Sequence, residues 1–108
     1  MFQIKTFRRG DEQPFWNWMR GLRDLQARAR IRTRIDRLAL GTMGDHRYLD
    51  GGVAELKIDW GPGYRVYFGK IGNTAILLLC GGEKRTQQQD IRAAKAYLKE
   101  YQDAQENH

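Results

Sequence analysis

The 108-residue chain reads as an α+β domain: one small sheet, two helices from the N-terminal half packed on it, and a C-terminal helix. Three observations predict this. Residues Glu55 to Phe68 alternate polar and apolar around Gly61-Pro62-Gly63, as a β-hairpin does. Thr74 to Cys80 is a nearly unbroken apolar run, the pattern of a central strand buried on both faces. The stretch from Phe15 to Leu40 and the stretch from Thr86 onward carry helix-type spacing and start signals.

Phe2 to Phe7 alternates and forms a first strand, with Arg8-Arg9-Gly10 turning out of it. Asp11 is placed to cap a short helix rich in Phe15, Trp16, Trp18 and Met19, an aromatic cluster better suited to packing on a sheet than to stacking bases. Gly21 separates it from a longer helix ending near Leu40 and Gly41, in which Leu22, Leu25, Ile31, Ile35 and Leu38 share one face. Gly41 to Gly52 is a glycine-rich connection with room for a short strand around Arg47 to Leu49.

In the hairpin, a three-residue loop Gly61 to Gly63 sets Trp60 opposite Tyr64, Ile58 opposite Val66 and Leu56 opposite Phe68. The other face then carries Glu55, Lys57, Asp59, Arg65 and Tyr67, with Asp59 opposite Arg65 and Lys57 opposite Tyr67. That face is either solvated or functional. After the apolar strand, Gly81-Gly82 lets the backbone turn and brings Lys84 and Arg85 to the sheet's end. Thr86 and Gln89 have the spacing of a capping box, with Asp90 in the first helical turn. A cationic loop thus feeds a helix start, which suits an anion such as phosphate.

Composition bounds the function. The length fits one domain, drawn as residues 1–102, with a polar tail at 103–108 that should fray. Nineteen Lys and Arg against thirteen Asp and Glu give a formal charge of +6, which favours polyanionic partners. Between Arg20 and Arg37 stand seven arginines, Arg28 and Arg32 among them, too many for one stripe of a helix. Such a surface can follow RNA phosphates, receive an acidic protein segment, or simply be solvated. The single Cys80 lies in the apolar strand and reads as a buried thiol, not a nucleophile. His46 has no second His or Cys at ligand spacing, so no metal site is expected. No segment has the roughly 20 apolar residues of a membrane span, and Met1 to Ile4 lacks signal-peptide architecture, so a cytoplasmic protein without membrane contact is expected.

The order strand, two helices, sheet and helix, with Glu55-Leu56-Lys57-Ile58, Gly61-Pro62-Gly63-Tyr64-Arg65-Val66-Tyr67-Phe68 and Leu78-Leu79-Cys80-Gly81-Gly82-Glu83-Lys84, resembles the RelE/ParE toxin superfamily. The likeness is to its HigB-like branch, the addiction-module killer proteins of type II toxin-antitoxin systems, and runs from Phe2 to about Tyr101. It implies a small antiparallel sheet flanked by helices. It also implies a ribosome-dependent mRNA endoribonuclease, restrained by a cognate antitoxin that is a helix-turn-helix DNA-binding protein. Arg65 matches the arginine after the family's Gly-Tyr pair, Lys57 a cationic position, and Lys84 the lysine after the Gly-Gly-acid turn. The chain lacks the tyrosine or histidine that many members carry at the start of the last helix, and has Gln87 to Asp90 there.

The reaction so implied is attack of a 2′-hydroxyl on the adjacent phosphorus, giving 2′,3′-cyclic phosphate and 5′-hydroxyl ends without metal or cofactor. Arg65 and Lys84 would stabilise the charged transition state, Lys57 would serve as base, and Glu55, two residues away on the same strand face, is the alternative base. Arg85, Arg28, Arg32 and Tyr67 are the expected RNA-binding residues. A ParE-like toxin that poisons DNA gyrase by binding alone is the alternative, and a nonenzymatic nucleic-acid-binding domain a third.

Overall fold

The computed structural model describes residues 1–106. In chain order the elements are β1 (Gln3–Thr6), α1 (Pro14–Gly21), α2 (Leu25–Ala39), β2 (His46–Tyr48), β3 (Val53–Ile58), β4 (Tyr64–Ile71), β5 (Ala75–Glu83) and α3 (Gln87–Glu106), with single 3-10 turns at Asp50–Gly52 and Lys84–Thr86. The strands form one sheet in the order β1, β5, β4, β3, β2. This is α+β as the sequence predicts, but the sheet is mixed. β1 lies parallel to β5, Gln3 beside Ala75 and Thr6 beside Leu78, while the other pairs are antiparallel. Alternation in a strand is the same for either direction of pairing, so the Phe2 to Phe7 pattern carries no sign of it.

The sheet has a core on each face. Phe15, Met19, Ala27, Ile31 and Leu38 of α1 and α2 pack on Leu56, Ile58, Val66, Phe68, Ile76 and Leu78. On the reverse, Ala94 and Leu98 of α3 cover Val53, Tyr67, Leu77, Leu79 and Cys80. The face that a two-layer reading leaves to solvent is therefore partly roofed by α3, and Tyr67 is fully buried. α3 runs through Glu106, past the point at which the polar tail should fray; Asn107 and His108 lie outside the described residues. Among the described residues no helix is long and apolar enough to cross a membrane.

Three local expectations change. Asp11 sits in a turn between Arg9 and Glu12, which exchange backbone hydrogen bonds, and α1 instead starts at Pro14 behind Gln13, with no side-chain cap. Pro suits the first helical position, because its missing N–H is one the helix could not satisfy. The long helix starts at Asp24, whose carboxylate accepts from the N–H groups of Gln26 and Ala27, and Leu25 is exposed instead of joining Ile31 and Leu38. The capping box before α3 pairs Glu83 with Thr86 instead of Thr86 with Gln89, and the Thr86 hydroxyl also donates to Asp90 at 2.6 Å.

Gly81 and Gly82 do not turn the chain; both lie within β5. A Cβ at Gly81 would sit 2.2 Å from the Trp18 ring of α1, and one at Gly82 would sit 1.8 Å from the Asp90 carboxylate of α3. Glycine is required because both helices approach the same strand end, one from each side. The thiol of Cys80 is buried and pushed up to about 12, by burial and then by the charge of Asp90, which leaves it a protonated packing group.

Candidate active site

The hairpin register sets the site. Ile58 stands opposite Tyr64, Leu56 opposite Val66 and Glu55 opposite Tyr67, so five residues, Asp59 to Gly63, make the loop. The shift from the three-residue loop is two residues, which preserves both faces and changes every cross-strand pair. Lys57 now stands directly opposite Arg65. Two like charges facing one another across a ladder are unfavourable, and the local sequence offers Arg65 no acid at that position.

Relief comes from the diagonal. Glu55, 4% exposed, lies 3.8 Å from the Arg65 guanidinium and 3.4 Å from that of Arg47 on β2, and accepts a 2.9 Å hydrogen bond from the Gln87 amide at the start of α3. Arg65, 5% exposed, donates through Nη1 to the Gly63 carbonyl at 3.0 Å, yet among the described residues its buried Nε has no hydrogen-bond partner. The Tyr67 hydroxyl beside it is likewise buried and unpartnered. Burial, and after it the charges of Glu55 and Asp90, raise the Tyr67 pKa. Glu55, Arg65, Arg47 and Gln87 border a cavity of roughly 430 Å³ together with Asp45, His46 and Lys57.

The fold thus brings Glu55, Lys57 and Arg65 together at one opening. Lys84 is adjacent but outside it: its side chain is exposed, and its N–H shares the Gly63 carbonyl with Arg65. Arg85 is an exposed side chain 3.6 Å from Glu83. Arg28 and Arg32 belong to α2, away from the cavity, with Arg32 over the Trp16 ring. Tyr67 has no exposed surface, so the expectation that it touches RNA is wrong; β4 turns that side chain under α3.

Arg47 and Asp45 are the residues that sequence reading missed. Once the short strand around Arg47 is paired antiparallel with β3, alternation puts Arg47 on the face of Glu55, a signal visible only after pairing is known. His46 borders the cavity from the sheet edge, with Nδ1 2.7 Å from the Gly44 carbonyl and its ring edge-on to Tyr48. The loop before β2 is tied to the end of β3 by Arg34 of α2, which donates to the carbonyls of Met43 (3.0 Å), Asp45 (2.8 Å) and Lys57 (2.6 Å).

No family model matches the chain. It is 44% identical over 98 residues to an uncharacterized protein of Haemophilus influenzae, a match that covers 91% of this chain and 94% of that protein.

Proposed function

We propose, for a chain that belongs to one family with that Haemophilus influenzae protein, a role as the toxin of a type II toxin-antitoxin module: a RelE/ParE-type, HigB-like, ribosome-dependent mRNA endoribonuclease acting in the cytoplasm. The observation that carries this reading is Arg65: nearly buried, lining an open cavity, backed by Glu55 and faced by a second cation, Lys57, directly across the ladder. A phosphodiester in the cavity would offset the repulsion between the two cations. Charge arranged against its own stability is what a site for a developing anion requires.

In the proposed reaction the RNA 2′-oxygen loses its proton and bonds to the adjacent phosphorus, while the bond from phosphorus to the 5′-oxygen breaks and that oxygen takes up a proton. Arg65 and Arg47 hold the nonbridging oxygens. Lys57, exposed at the rim, is the candidate for proton transfer. Glu55 has both oxygens engaged by Arg47, Arg65 and Gln87, which suits it to fixing the cations better than to serving as the base. Lys84, held at Gly63 beside Arg65, is a supporting cation. The module's antitoxin, a helix-turn-helix protein, the ribosome and mRNA are the proposed partners, and no metal or cofactor is invoked.

One observation favours the noncatalytic alternative, a gyrase poison. The first residue of α3 is Gln87, an amide that cannot transfer a proton, and it is already bonded to Glu55. The two readings separate in a translation extract in which mRNA ends are mapped with and without active ribosomes. Arg65→Ala should lower cleavage by roughly 10²-fold, and Lys57→Ala, at an exposed site, should also impair it without loss of fold. Intact mRNA beside inhibited gyrase supercoiling would replace the ribonuclease with the gyrase poison.

A further inference from the structure

We infer that the groove between α2 and the β3–β4 hairpin is a second binding site, for the backbone of single-stranded nucleic acid, joined to the candidate active site past the C-terminal end of β3. The inference rests on the reading of that site as one that takes RNA. The groove, roughly 450 Å³, has Gln26, Arg30, Thr33 and Arg37 along one wall and Ile58 and Asp59 along the other. The four α2 residues recur every three or four positions and so form one stripe. Arg30 to Arg37 spans about 10 Å of helix, length enough for a short run of phosphates.

Two independent features point to nucleic acid. First, among the described residues no arginine of α2 lies within salt-bridge distance of a carboxylate, although the molecule pairs Arg9, Arg47, Arg65 and Arg85. The stripe's charge is left for an external anion. Second, Arg30 stacks over the Trp60 ring at 3.9 Å, and the indole N–H is held by Asp24 at 3.0 Å. A guanidinium held over an aromatic ring offers a surface on which a base can stack, a feature that a string of carboxylates would not use.

Continuity follows from the chain itself. Lys57 borders the active-site cavity, the next two residues border the groove, and Arg34 lines the groove while bonding the Lys57 and Asp45 carbonyls. A strand that leaves the cavity past Lys57 meets Arg34 and then Arg37 and Arg30.

The test is fluorescence anisotropy of a labelled 2′-O-methyl oligouridylate, which has no free 2′-hydroxyl to attack, titrated over a range of salt. The doubly substituted Arg30→Gln/Arg37→Gln protein, folded by circular dichroism, should bind about tenfold more weakly, and the slope of log affinity against log salt should fall by about 2. Unchanged affinity and slope in that variant would overturn the groove, even if the wild type cuts mRNA. Loss of binding in that variant would uphold the groove, even if the wild type leaves mRNA intact and the ribonuclease reading fails. Polyglutamate binding to the groove in place of the oligouridylate would overturn the inference in favour of an acidic protein partner.

Discussion

Arg65 and Arg37 carry the same side chain under opposite conditions. Arg65 is 5% exposed, backed by Glu55, and opposed across the ladder by another cation. Arg37 is exposed on α2 with no carboxylate within salt-bridge distance among the described residues. A buried charge depends on its partner, because removing one member strands the other in a medium that solvates it poorly. An exposed charge depends on the solution, because salt screens it over distances of about 10 Å. One cationic region is therefore tied to its buried carboxylate, and the other costs the fold little and is free to respond to ligands.

The sharpest way to break this contrast is Glu55→Gln. It leaves Arg65 buried without a carboxylate and should destabilise the protein by about 3 kcal/mol, read from chemical denaturation. Replacing both partners, as Glu55→Leu with Arg65→Met, should restore most of that loss; failure to do so would mean the carboxylate acts through something other than the ion pair. A smaller effect tests the joint between the regions. Arg34→Met deprives three carbonyls of their donor and should cost about 2 kcal/mol, with faster hydrogen exchange confined to residues 45 to 48. Uniform acceleration across the sheet would argue instead for a global role.

The smallest effect concerns pH. The hydrogen bond from Trp60, and then that from the Ala27 N–H, hold the Asp24 carboxyl below its ordinary value of 3.8. Stability from this group is therefore present above that value and is lost as pH falls through the lower folded-state pKa. Wild type should lose more stability than Asp24→Asn between about pH 5 and pH 3, as measured by denaturation; parallel curves would remove Asp24 from the account of the groove.

Much of the fold was legible because it rests on periodicity. The hairpin faces, the buried run of β5 and the two N-terminal helices all follow from spacing of apolar residues. What spacing does not encode is pairing. The two-residue change in hairpin register kept the faces yet replaced Asp59 with Lys57 as the residue opposite Arg65, turning an ordinary ion pair into the most informative feature of the site. Gly81-Gly82 were misread for a related reason: a glycine admits tight approach as readily as a turn, and Trp18 and Asp90 approach from helices distant in sequence. Arg47 and Arg34 gained their roles only from tertiary pairing.

β5 carries one further consequence. Phe68 pairs with Leu78 and Tyr67 with Cys80, so Leu79 is an extra residue with no partner on β4. Leu79 and Cys80 both join the core under α3, although neighbours in a regular strand point apart. The bulge is therefore a length buffer. Deleting Leu79 would leave a regular strand in which Leu78 still faces α1 and α2, Gly81 still lies under Trp18 and Gly82 still meets Asp90. A deletion outside the Leu79–Cys80 bulge would exchange the contents of the two cores beyond the cut. A homologue one residue shorter here would retain the same architecture, at the cost of one packed leucine in the core under α3.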